Sequence, residues 1–189
     1  NDATDQGIIK MFGISKREDK IKALSELNIV PLSISYEWET CDYMKALELY
    51  QSRSEKYVKK QGEDLSSILS GITSFKGDVH LTFCPMITEQ DLMAYDSLPG
   101  IEYNREVARL LDRRIYAGYR LTPNNFIAHD IRFGKHEFKG DRYTDEQKDR
   151  FLHHLKKLEK YDVDEPEVLM DIFLGIYSNP VDNCFERNH

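Results

Sequence analysis

Apolar residues concentrate in one short run near the start of the chain, Ile29-Val30-Pro31-Leu32-Ser33-Ile34-Ser35, opened by Asn28 and closed by Tyr36-Glu37. A run of Ile, Val and Leu behind a turn-prone residue predicts a buried β-strand over Asn28–Glu37. Ile29 and Val30 break a single parity, so apolar groups point to both sides. A strand covered on both faces belongs in an α/β sheet with helices on either side. The only other convincing strand is Asp78–Cys84. It alternates, with Val79, Leu81 and Phe83 on one face and His80 and Thr82 on the other, as a half-covered strand near a sheet edge does.

Elsewhere the apolar period is helical. Ile8–Phe12 reads as a short apolar helix. Lys16–Leu27 reads as a helix capped by Ser15, with Ile21, Leu24 and Leu27 on one face. Tyr43–Ser54 carries the stripe Met44, Ala46, Leu47, Tyr50, and Lys56–Glu63 is a polar loop or surface helix. Asp64–Thr73 turns Leu65, Ile68, Leu69 and Ile72 inward. Beyond Pro85 everything is helical. Thr88 caps a helix to Tyr95, Pro99-Gly100 breaks it, and Ile101–Tyr119 is long and amphipathic. Pro123 suits the first position of a helix reaching Gly134. Thr144 with Gln147 opens Asp145–Tyr161 as a capping box, and Pro166 opens a last helix to Ser178. The expected fold is α/β: two mostly parallel strands with flanking helices over residues 1–85, then a helical extension over 86–189.

Composition narrows the classes. A net charge of -7, spread along the chain, argues against a general nucleic-acid binder, which shows a basic face. No apolar run approaches the roughly 20 residues that span a bilayer. Cys41, Cys84 and Cys184 form no C-x-x-C pair, which speaks against a cysteine zinc site and for free, reduced thiols. Nothing calls for a metal. The loop-like opening Asn1 to Gly7, without Met, is expected of a fragment.

Candidate chemistry is sparse. His136 and Asp141 have the spacing H-x-x-x-x-D, but in a Lys-rich loop after the strands, where a surface role is expected. His153 and His154 read as solvated helix surface, His129 as a partly buried histidine, and His80 as a packed or edge one. Arg109, Arg113, Arg114 and Arg120 form one basic cluster and Lys56, Lys59 and Lys60 another. Either suits an anionic headgroup or a carrier phosphate, and equally a solvated face.

Two segments carry a resemblance. Ile29–Ser35 resembles the late block of the glycerolipid acyltransferases, a short apolar strand with a proline after Val. Lys76–Phe83, with Pro85 after it, resembles that family's closing strand. Tyr36–Tyr43 and the helical C-terminal region are most similar to a Bacteroidetes subgroup. The stretch from Asn1-Asp2 to Lys10-Met11 is similar to the segment just after the family's phosphate-binding glutamate–glycine–arginine block. The resemblance implies acyl transfer from a carrier thioester, acyl-CoA or acyl-carrier protein, to a hydroxyl of a glycerol-phosphate or lipid acceptor, with no further cofactor. The family's catalytic H-x-x-x-x-D block would precede Asn1. This chain would then be a C-terminal part, inactive alone and partnered by the missing N-terminal half. It would be cytoplasmic, or peripheral at the inner face of the cytoplasmic membrane.

Pro31, Tyr36 and Glu37 are the residues expected near the acceptor, from the resemblance and from their place toward the carboxyl end of the strand. A different class of function is a non-catalytic helical interaction domain built on residues 86–189. A third is an unrelated hydrolase using His129 or His136.

Overall fold

The computed structural model describes residues 3–16, 18–54 and 61–185. In chain order the elements are α1 (Gln6–Phe12), α2 (Lys20–Ser25), β1 (Leu32–Tyr36), α3 (Asp42–Gln51), α4 (Glu63–Thr73), β2 (Val79–Phe83), α5 (Glu89–Met93), α6 (Gly100–Ala117), α7 (Pro123–Arg132), α8 (Asp145–Leu155) and α9 (Pro166–Phe185). A 3-10 turn comes after α1, and another, Lys156–Lys160, extends α8.

Helix starts obey local chemistry. Thr88 with Asp91, Thr122 with Asn125 and Thr144 with Gln147 each form a reciprocal capping box, satisfying backbone N–H groups that the first turn leaves open. The helix expected from Lys16 starts instead at Lys20, where the Asp19 carboxylate accepts from Lys22 N. The last helix runs past Ser178 to Phe185 and contains Pro180.

The expected sheet is corrected. Of the described residues 61% are helical, and the two strands among them pair antiparallel, not parallel. Cys84 N donates to Pro31 O and Glu37 N to Asp78 O, both at 2.9 Å, so one strand's numbers fall as the other's rise. The chain leaves β1 and re-enters β2 at the same end of the ribbon, which only an antiparallel return permits.

The chain divides into two compact units that interleave in sequence. One takes the described residues up to Ile34 and His80–Tyr119; the other takes Ser35–Val79 and everything from Arg120. In the first, Ile9, Leu24, Ile87, Leu92, Tyr103 and Val107 form a core in which α6 packs on α1, and α2 on α5. In the second, α9 is the central helix, packed by α7 and α3. Its Phe173 and Tyr177 join Phe126, Ile127 and Phe151 in the core.

The faces of the strands are the reverse of the expected ones. The register sets Leu32 opposite Phe83 and Ile34 opposite Leu81, and all four are exposed, Phe83 at 72%. The polar face is the covered one. Ser33 is buried and Thr82 Oγ1 donates to Gly118 O at 2.9 Å. The end of α6 causes this. A β-carbon on Gly118 would lie 2.9 Å from Cys84 Sγ and 3.0 Å from Ser33 Cβ, so the backbone approaches too closely for a branched side chain between them. Nor do Leu65, Ile68, Leu69 and Ile72 turn inward: α4 forms where expected, but it buries no residue, and all four are more than half exposed.

Candidate functional site

The richest polar cluster lies in the second unit, where β1 hands over to α3. Cys41 adopts φ 60° and turns the chain into the helix, which places Asp42 in the first turn. A carboxylate there suits the positive end of the helix. Asp42 is 4% exposed and fully engaged. One oxygen accepts from Tyr43 N at 2.8 Å. The other lies 2.7 Å from both the Tyr177 hydroxyl of α9 and Nε2 of His154 on α8. Tyr177 in turn accepts from Glu39 N at 3.1 Å.

A carboxylate only accepts, so His154 carries its proton on Nε2. The imidazole is held against Trp38 and Tyr43, with ring centroids 4.7 and 4.8 Å away, and the Tyr43 hydroxyl donates to His154 O at 2.7 Å. Burial, with the Asp42 charge added, pushes the Tyr43 and Tyr177 phenols well above their ordinary value. Both remain protonated donors across the physiological range.

The cluster floors a cleft of about 920 Å³. Arg150, His153, His154 and Lys157 recur at the three- and four-residue spacing of one helical face and line its wall, facing Trp38 and Tyr43. A histidine oriented by a buried carboxylate, with its ring lining a cleft, can hold or pass a proton. Among the described residues there is no group of three or more side chains placed to hold a metal ion, and no helix long and apolar enough to cross a membrane.

The residues expected near an acceptor lie elsewhere. Pro31 is buried in the first unit, its carbonyl taken by Cys84 N. Tyr36 and Glu37 belong to the second. Tyr36 is half-buried at the strand end. Glu37 has structural work: its carboxylate accepts from Asp78 N at 3.0 Å and its carbonyl from Asn124 Nδ2 at 2.7 Å.

His136 and Asp141 are exposed. His129 is buried, its Nε2 3.2 Å from Asp182, with Nδ1 unpartnered. Of the arginine cluster, Arg114 is tied to Asp91 and to the Pro85 and Met86 carbonyls, Arg109 to Glu106, and Arg113 to the Tyr95 hydroxyl. Lys56, Lys59 and Lys60 lie outside the described residues.

His154 is the residue that sequence reasoning missed: it is half-buried rather than solvated. Its i, i+3 relation to Lys157 and i, i+4 relation to Arg150 was visible. Its partners were not, since 112 residues separate His154 from Asp42, and 135 separate Asp42 from Tyr177.

Fold and site together define a mostly helical protein of two units with an antiparallel ribbon and a histidine–aspartate cleft. No protein-family model matches the chain, and neither characterised proteins nor solved structures include a match.

Proposed function

We propose that this chain is the C-terminal part of a glycerolipid-type acyltransferase, which moves an acyl group from acyl-CoA or acyl-carrier protein to a hydroxyl of a glycerol-phosphate or lipid acceptor. One observation carries the reading. The two segments that resemble the family, Ile29–Ser35 and Lys76–Phe83, are adjacent strands of one ribbon whose apolar side stands open. A two-stranded ribbon is marginal in water, and both of its outer edges offer unpaired backbone groups. An N-terminal half of the parent protein would cover that open side.

On this reading the base that deprotonates the acceptor belongs to an upstream H-x-x-x-x-D block. Tyr36 is the residue of this chain best placed to meet the acceptor, because Glu37 is committed to the turn before β2 and Pro31 is buried. The open apolar stripe of α4 supports peripheral contact with the inner face of the cytoplasmic membrane.

The test is acyl transfer from acyl-CoA and from acyl-carrier protein to lysophosphatidate. The parent protein is expected to be active, to lose activity when the histidine of its upstream block is replaced, and to be inactive as this chain alone. A parent with no such block, or none of this activity, overturns the assignment. In that case, recovery of a discrete protein partner without acyl-carrier binding would favour the helical interaction domain.

A further inference from the structure

The cleft of the second unit has a composition that acyl transfer by an upstream base does not use. We propose that it binds a small molecule bearing a phosphate monoester, the phosphate held by Arg150, Lys157 and His154 and the remainder lying against Trp38.

The charges of the cleft separate into spent and free. Asp42 is fully engaged as an acceptor by Tyr43 N, Tyr177 and His154, and Glu39 is paired with Lys45 at 2.8 Å. Lys160 sits over the rings of Tyr43 and Tyr161, 5.2 and 4.8 Å from their centroids. Arg150 and Lys157 have no ion-pair partner among the described residues, although Glu146 and Asp149 share their wall. Those two acids precede Arg150 along α8, whereas His154 and Lys157 follow it. Arg150 and Lys157 stand one turn before and one turn after His154 on this wall.

The donors there suit phosphate. A guanidinium presents a planar fork and an ammonium a point charge, and both form short charge-assisted bonds to phosphate oxygens. His154 adds a third contact. With its Nε2 proton given to Asp42, Nδ1 is an acceptor that makes no hydrogen bond among the described residues. It can accept from the hydroxyl of a singly protonated phosphate monoester. The volume of about 920 Å³ is that of a small-molecule site, and the chain's net charge of -7 opposes a polyanion such as nucleic acid. A soluble ester and a lipid headgroup share this chemistry.

Trp38 is the only tryptophan in the chain and lines the cleft, so its fluorescence reports occupancy directly. The full chain would be titrated with glycerol 3-phosphate, inorganic phosphate, vesicles containing phosphatidic acid and vesicles of phosphatidylcholine alone. Glycerol 3-phosphate is expected to give a saturable change. Arg150→Gln and Lys157→Gln, both at exposed positions that leave the fold intact, are each expected to weaken it about tenfold, the size of one charge-assisted contact. Lys156→Gln, off this face, is expected to leave it unchanged. A response confined to phosphatidic acid vesicles, with the same two variants affected, supports the site and assigns the ligand to a lipid headgroup. No saturable response to any phosphate probe, or equal weakening by Lys156→Gln, overturns the proposal. The binding result stands or falls without acyl transfer by the parent.

Discussion

Asp42 shows how much of the second unit hangs on one side chain. It is buried and it satisfies three donors: Tyr43 N, the Tyr177 hydroxyl and His154 Nε2. Removing an acceptor from a buried site leaves its donors unpaired, which is worth more than the net value of the bonds. Asp42→Ala is expected to cost about 3 kcal/mol, read as a lower urea midpoint followed by Trp38 fluorescence. Tyr177→Phe removes one donor to Asp42 and the acceptor of Glu39 N, and is expected to cost roughly 1–2 kcal/mol. Equal midpoints for wild type and Asp42→Ala would show that the network adds nothing. Gly118 is the corresponding residue of the first unit. Gly118→Ala drives a methyl to 2.9 Å from Cys84 Sγ and 3.2 Å from a backbone carbonyl, and is expected to cost about 1–3 kcal/mol.

At the scale of elements, the ribbon inverts the usual rule for a strand, and so do the expected effects of substitution. Leu81→Lys, on the open face, is expected to change the stability of this chain by less than about 0.5 kcal/mol. Ser33→Leu, on the covered face, is expected to cost about 1–3 kcal/mol, because the end of α6 leaves no volume for it. Circular dichroism melts of the two variants decide the matter; a larger loss for Leu81→Lys would mean that the open face is in fact covered. The same contrast explains what the sequence revealed and what it concealed. Capping boxes and prolines are local, so Thr88, Pro123, Thr144 and Pro166 were legible as helix starts. The β-branched runs were legible as strands. Strand direction was not, because pairing joins residues such as Glu37 and Asp78 across an intervening pair of helices. Which face is covered was not legible either, because Gly118 decides it from far along the chain. The stripe of α4 was read correctly as a stripe, but periodicity identifies an apolar face without saying whether anything lies over it. The candidate site was hidden for the same reason: its three key side chains come from α3, α8 and α9.

Both units should lose stability in alkali. Burial, with the charges of Asp96 and Asp19, pushes the Tyr103 phenol in the first unit up to about 12. In the second unit Tyr43, Tyr143 and Tyr177 are all pushed upward, again chiefly by burial, with Asp42 or Asp130 adding to it. A phenol whose value is raised in the folded state keeps its proton where the unfolded chain has lost it. Its contribution is therefore fully present below the ordinary tyrosine value of about 10 and is lost as pH climbs above it, by at most about 1.4 kcal/mol per pH unit for each such group. In the first unit the raised Tyr103 phenol contributes a slope of up to one proton. In the second, Tyr43, Tyr143 and Tyr177 each contribute one over the same range. Denaturant midpoints followed by Trp38, which reports the second unit, are expected to fall between pH 9 and 12. Tyr103→Phe, in the first unit, should leave the Trp38 profile unchanged. A Trp38 profile that is level through pH 10 to 12 would mean that the phenols of Tyr43, Tyr143 and Tyr177 titrate freely, and that the second unit's core is open to water at its tyrosines.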